Sequence, residues 1–87
     1  MINPVALDHL VLRTDRYREL IEFYCDVLGC SVERTLSESF GLTQLRAGSA
    51  LIDIVDVDGE LGKLGGPPPG ETGNNLDHFC LQIEPFE

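Results

Sequence analysis

Hydrophobic and polar positions follow several different periods along this chain. Leu7 to Arg13 (LDHLVLR) is a short, mostly apolar run without breakers and predicts a buried strand. From Arg16 to Leu28 the apolar residues Tyr17, Leu20, Ile21, Tyr24, Val27 and Leu28 fall at offsets 0, +3, +4, +7, +10 and +11, the stripe of an amphipathic helix, which Phe23 widens. Asp15 stands where an N-cap belongs. Gly29 stands where a left-handed residue ends a helix. Three strands are then expected: Cys30–Leu36, Leu42–Ala47 and Leu51–Val57. Ala47-Gly48-Ser49 makes the last two a hairpin. LIDIV (Leu51–Val55) is the most strand-like segment, rich in β-branched side chains.

The period is lost from Asp58 to Asn75, which holds 6 of the 9 glycines and 3 of the 5 prolines. Pro67-Pro68-Pro69 is expected to be extended and stiff. This is a linker with one short turn around Glu60–Leu64. A second apolar run, Leu76 to Ile83, predicts a fifth strand, and Glu84-Pro85-Phe86-Glu87 reads as the opening of a helix. The plan is α+β. A βαβββ module spans residues 1–57, a Gly/Pro-rich linker 58–75, and the first strand and helix opening of an incomplete second module 76–87.

The two modules open alike. LDHLVL (Leu7–Leu12) and LDHFCL (Leu76–Leu81) share Leu, Asp, His and the final Leu, and they hold the chain's only 2 histidines, His9 and His78, at the same place. Two such units packed about a pseudo-twofold axis bring the imidazoles together. Neutral imidazole is the commonest protein metal ligand and suits Zn, Fe, Ni or Cu. Alternate residues of a strand share a face, so Leu7, His9, Val11 and Arg13 go together, as do His78, Cys80 and Gln82. Asp53 is the third candidate ligand. Leu51, Ile52, Ile54 and Val55 flank it, and a carboxylate buried there without a partner is costly. The alternatives are an edge-strand Asp reaching water, or one paired with Arg13 or Arg46. Cys80 is a weaker ligand candidate, explained more simply by packing. Asp8 and Asp77 are expected to point to the opposite face. Arg13, Gln44 and Arg46 are candidates for binding an anionic substrate group. Tyr17 and Tyr24 belong to the core.

Composition narrows the partners. The 87 residues carry 6 Lys+Arg against 15 Asp+Glu, a net charge of -9. That disfavours nucleic acid, which binds through cations that displace counterions, and it disfavours an anionic membrane surface equally. No apolar stretch approaches the ~20 residues of a spanning helix, and no signal-like segment opens the chain. Cys25, Cys30 and Cys80 are an odd number without a CxxC spacing, as expected of reduced thiols in the cytoplasm.

The strand DHLVLR, the helix end FYCDVLG (Phe23–Gly29), LIDIV after a hairpin, and the returning DHFCL together resemble the vicinal oxygen chelate superfamily of glyoxalases, bleomycin-resistance proteins and extradiol dioxygenases, over Val5 to Phe86. The resemblance implies a cup-shaped sheet built from two βαβββ modules around a divalent ion (Zn, Ni, Fe, Mn or Co). His9 matches the first-strand ligand of module one and His78 that of module two. Asp53 matches the last-strand position, where Glu, Gln or His is more usual. The fourth ligand, commonly Glu on the last strand of module two, has no counterpart. Completing that module takes roughly 40–50 further residues at ordinary element lengths.

The leading function is then lyase or isomerase chemistry of the glyoxalase kind on a small oxygen-chelating substrate, with ring-cleaving dioxygenase chemistry as a second enzymatic reading. No general base is assigned. A non-catalytic cup for a small molecule or drug, and an inactive truncated product, are the alternatives. Because Leu76–Ile83 is an apolar strand with no module of its own, the chain is expected to assemble as a homodimer, with sites drawing ligands from both copies.

Overall fold

The computed structural model describes residues 1–68, 70–72 and 76–85. Its elements are β1 (His9–Thr14), α1 (Tyr17–Glu22) running into a π-helical turn (Phe23–Val27), β2 (Ser31–Thr35), β3 (Leu42–Ala47), β4 (Ala50–Asp56) and α2 (Glu60–Leu64). The four strands form one mixed sheet in the order β1-β4-β3-β2. β1 runs parallel to β4, while β3 is antiparallel to both β4 and β2. This is the expected α+β plan of one βαβββ module.

Local chemistry accounts for the turns. Ala47 pairs with Ala50, leaving Gly48 and Ser49 as a two-residue loop, and Gly48 has φ 61. A glycine of positive φ at the first central position suits the right-handed twist of a hairpin. Gly29, at φ 75, ends the helix as expected. The Cys30 N–H crosses it to bond the Tyr24 carbonyl at 2.9 Å. The helix differs from expectation at both ends. Asp15 does not cap it; the Thr14 hydroxyl accepts the Arg16 N–H instead, at 2.8 Å. The last turn widens to π geometry, with the Leu28 N–H on the Phe23 carbonyl at 3.2 Å.

Register divides the sheet into two unlike faces. Leu10, Leu12, Thr43, Leu45, Ile52 and Ile54 lie on one, because Leu10 pairs with Ile52, Leu12 with Ile54, and Leu45 with Ile52. Leu45, Ile52 and Ile54 are fully buried there with Tyr24, and Tyr17, Leu20, Ile21, Cys25 and Cys30 pack around them. The Tyr17 and Thr43 hydroxyls share a hydrogen bond of 2.5 Å at the edge of this layer. The other face carries His9, Val11 and Arg13 from β1, Leu51, Asp53 and Val55 from β4, and Leu42, Gln44 and Arg46 from β3.

The stretch expected as a linker folds onto the sheet in its first part. α2 packs across the end of β4, where a Cβ at Gly62 would overlap the Asp56 carbonyl and the Val57 backbone, so only glycine permits this approach. The expected fifth strand is not formed within this chain. Residues 76–85 belong to no helix or strand. Phe86 and Glu87 lie outside the described residues. An extended run becomes a strand only when a neighbour accepts its backbone groups. Here the segment lies on the helix side instead, where Phe79 packs on the core cluster.

Candidate functional site

The open face assembles most of the polar residues singled out in the sequence. Val11 pairs with Asp53, and Asp53 pairs in turn with Gln44, so a carboxylate sits at the centre of the sheet with β1 on one side and β3 on the other. Asp53 is only 6% exposed. Its Oδ2 accepts a long hydrogen bond from Gln44 Nε2, 3.4 Å, and its Oδ1 is buried without a partner. A buried acceptor left unpaired is costly and calls for a cation or donor that the fold itself does not supply.

His9 stands on the same face, diagonal to Asp53 across the β1–β4 ladder. Its Nδ1 donates to Asp8 Oδ2 at 2.8 Å. That bond lifts the imidazole above its ordinary 6.5; desolvation opposes the rise, and the charges of Asp53 and Asp8 reinforce it. A carboxylate on Nδ1 fixes the ring and leaves Nε2 as the free ligating nitrogen, the arrangement typical of metal-binding histidines. Asp8 was expected to point away; residues adjacent in the chain nonetheless meet because the short carboxylate curls back to the ring.

The second copy of the motif repeats this contact. Asp77 Oδ2 accepts from His78 Nδ1 at 2.6 Å. His78, however, is not brought to His9 and Asp53. It lies with Leu12, Tyr24 and Leu28 on the helix side, its side chain 81% exposed. Among the described residues no three His, Cys, Asp or Glu side chains converge at one point. One chain therefore supplies an imidazole and an unpaired carboxylate oxygen on one face, and a second prepared imidazole on the other.

The remaining candidates have partners within the fold. Arg46 Nε bonds Glu33 Oε1 at 3.2 Å. Arg13 clamps the segment after β4: its Nη1 donates to the Gly62 carbonyl at 2.9 Å, and its Nη2 to those of Gly66 and Pro67 at 3.0 and 3.2 Å. These carbonyls are neutral, so Arg13 keeps its charge, and it lines the cavity beside Asp53. The sequence could not reveal the clamp, whose acceptors are main-chain carbonyls about 50 residues away. Cys30 is unsuited to nucleophilic work, since burial, and to a lesser degree Cys25, pushes its thiol up.

A cavity of about 420 Å³ opens beside Asp53. Val11, Leu42 and Val55 form its floor, and Leu61 and Leu64 of α2 form its wall. The architecture is that of one βαβββ module, with one face of the sheet packed by helix and the other centred on Asp53.

Comparison with known proteins gives the family. Residues 6–86 match the model of the Glyoxalase/Bleomycin resistance protein/Dioxygenase superfamily, and the chain belongs to that superfamily. Among solved structures it is similar to the crystal structure of lactoylglutathione lyase from Agrobacterium tumefaciens, with a TM-score of 0.59 and 22% identity over 82% of this chain and 53% of that one. The chain thus spans about half the length of that structure. No curated protein matches it. Among the described residues no helix is long and apolar enough to cross a membrane.

Proposed function

We propose that the chain provides one half of a divalent-metal site for lyase or isomerase chemistry on a small oxygen-chelating substrate, completed by a second copy of itself. The observation that carries this reading is Asp53, buried at the centre of the open face with Oδ1 unpartnered, beside a histidine whose Nδ1 is already held. His9 Nε2 and Asp53 Oδ1 are the two donors one chain contributes, and the exposed His78 of a second copy is the third. A divalent ion held there supplies Lewis acidity toward two oxygens of the substrate. Asp8 and Asp77 orient the imidazoles, Gln44 steadies the second oxygen of Asp53, and the apolar walls keep water from the substrate. The free thiols of Cys25, Cys30 and Cys80 suit a reducing, cytoplasmic setting.

Mixing single variants tests the assembly. His9→Ala and His78→Ala are each expected to lose stoichiometric zinc binding in calorimetry. A mixed dimer contains one site of two with both wild-type histidines, and random exchange makes half of the dimers mixed, so an equimolar mixture should regain about a quarter of the wild-type sites. Unchanged zinc content in either variant overturns the ligand assignment, and no recovery on mixing overturns the shared site. A non-catalytic binding cup is the second reading, favoured by the apolar floor and wall of the cavity. It predicts small-molecule binding that is indifferent to metal and to His9→Ala.

A further inference from the structure

We infer that the cup takes a ligand with a compact polar head at Asp53 and a linear apolar body, and that α2, held by Arg13, sets how much of that body is accepted. This deepens the reading of the Asp53 side as the head-group end. The cavity is walled by Val11, Leu42, Val55, Leu61 and Leu64, and its volume lies in the range of small-molecule sites. Of its two polar lining residues, Arg13 has both terminal nitrogens engaged by the Gly62, Gly66 and Pro67 carbonyls. Asp53 Oδ1 is the polar atom left free, nine-tenths buried at the sheet end of the cavity. The unpartnered carboxylate oxygen marks the polar end of the cavity, and Val11, Leu42, Val55, Leu61 and Leu64 make most of the remaining lining hydrocarbon.

The apolar wall comes from the chain after β4. Leu64 is 84% exposed, so a large part of its surface is available to a ligand body. α2 holds this position through two devices: the glycine approach of Gly62 to Asp56, and the three-carbonyl clamp from Arg13. Five residues of helix have little stability of their own. Arg13 is thus a positioning residue for the wall. A Cβ at Gly65 would also collide with its guanidinium, so that glycine leaves room for the clamp.

The test uses straight-chain alkyl hydroxamates of two to eight carbons, neutral two-oxygen chelators, titrated by calorimetry with and without zinc. Full burial of a methylene is worth about 0.8 kcal/mol, about fourfold in affinity. Across the series the wild-type protein should gain on the order of tenfold or more, since the wall covers the body only on one side. Leu61→Asn and Leu64→Asn should reduce that gain to about threefold or less by removing the apolar partner. Arg13→Ala should weaken the eight-carbon probe more than the two-carbon probe, a split that general destabilisation does not produce. A flat wild-type series, an unchanged gain in the leucine variants, or equal losses for both probes in Arg13→Ala overturns the inference. Failure of zinc to bind while the chain-length gain persists without it overturns the metal reading and leaves this one standing.

Discussion

Leu7–Leu12 and Leu76–Leu81 have the same residue at four of six positions, and each holds an imidazole by the carboxylate that precedes it. The first becomes an edge strand, hydrogen-bonded along β4 from His9 to Thr14. The second joins no ladder and rests on the helix side through Phe79. The contact between neighbours in sequence is local and survives in both settings. The strand is not local, because half of every strand's hydrogen bonds belong to its partner. The difference also separates the two histidines: His9 sits beside Asp53, while His78 faces outward on the other side.

The largest effect should appear in amide hydrogen exchange. Amides of β1 that bond to β4 are expected to exchange orders of magnitude more slowly than those of residues 76–83 at low protein concentration. If a second copy supplies the missing ladder, protection in 76–83 should grow with concentration. Equal protection in both segments at every concentration would erase the contrast.

Cores beneath the two segments should differ next. Leu45→Ala empties a fully buried position under the first module and is expected to cost about 2–5 kcal/mol in urea unfolding. Phe79→Ala removes a half-buried ring from the second segment and should cost about 1 kcal/mol, since much of its surface meets water already. A larger loss at Phe79 would make the second segment part of the main core.

The smallest expected effect is the titration of His9. Its pKa stands above 6.5, chiefly through Asp8, so Asp8→Asn should move the midpoint down in a proton NMR titration. Because the folded value is raised, the Asp8–His9 contact stabilises the fold fully below the unfolded pKa of 6.5 and loses this contribution as pH rises through the folded value. Protons also compete with metal for the ring. In the reading proposed above, acidification should weaken zinc binding from a higher pH in the wild type than in Asp8→Asn. An unmoved midpoint would show that the hydrogen bond does not control the ring.

Much of the first module was legible in its residues. Tyr17, Leu20, Ile21 and Tyr24 recur at helical spacing and pack on the buried face. Gly29 and Gly48 mark turns that require positive φ. Asp53 among β-branched neighbours is buried, and it shares a face with His9, Gln44 and Arg46 as strand alternation implies. Less legible were the choices settled by several weak alternatives. Asp15 leaves the helix start uncapped, and the Thr14 hydroxyl closes the turn before it on the Arg16 N–H. The roles of Arg13 and α2 stayed hidden in a Gly/Pro-rich stretch, since hydrophobic period says nothing about carbonyls that a distant guanidinium can reach.

The sequence by itself determined the first helix, the four strands of the first module, their turns and the two faces of the sheet. These follow from side-chain period and glycine conformation. Only the tertiary structure decided that Asp53 keeps an unpaired oxygen, that Arg13 holds the segment after β4, and that His78 lies across the sheet from His9. Each of these depends on where groups far apart in the chain come to rest, and the energies that place them are set by burial and by the supply of hydrogen-bond partners in space.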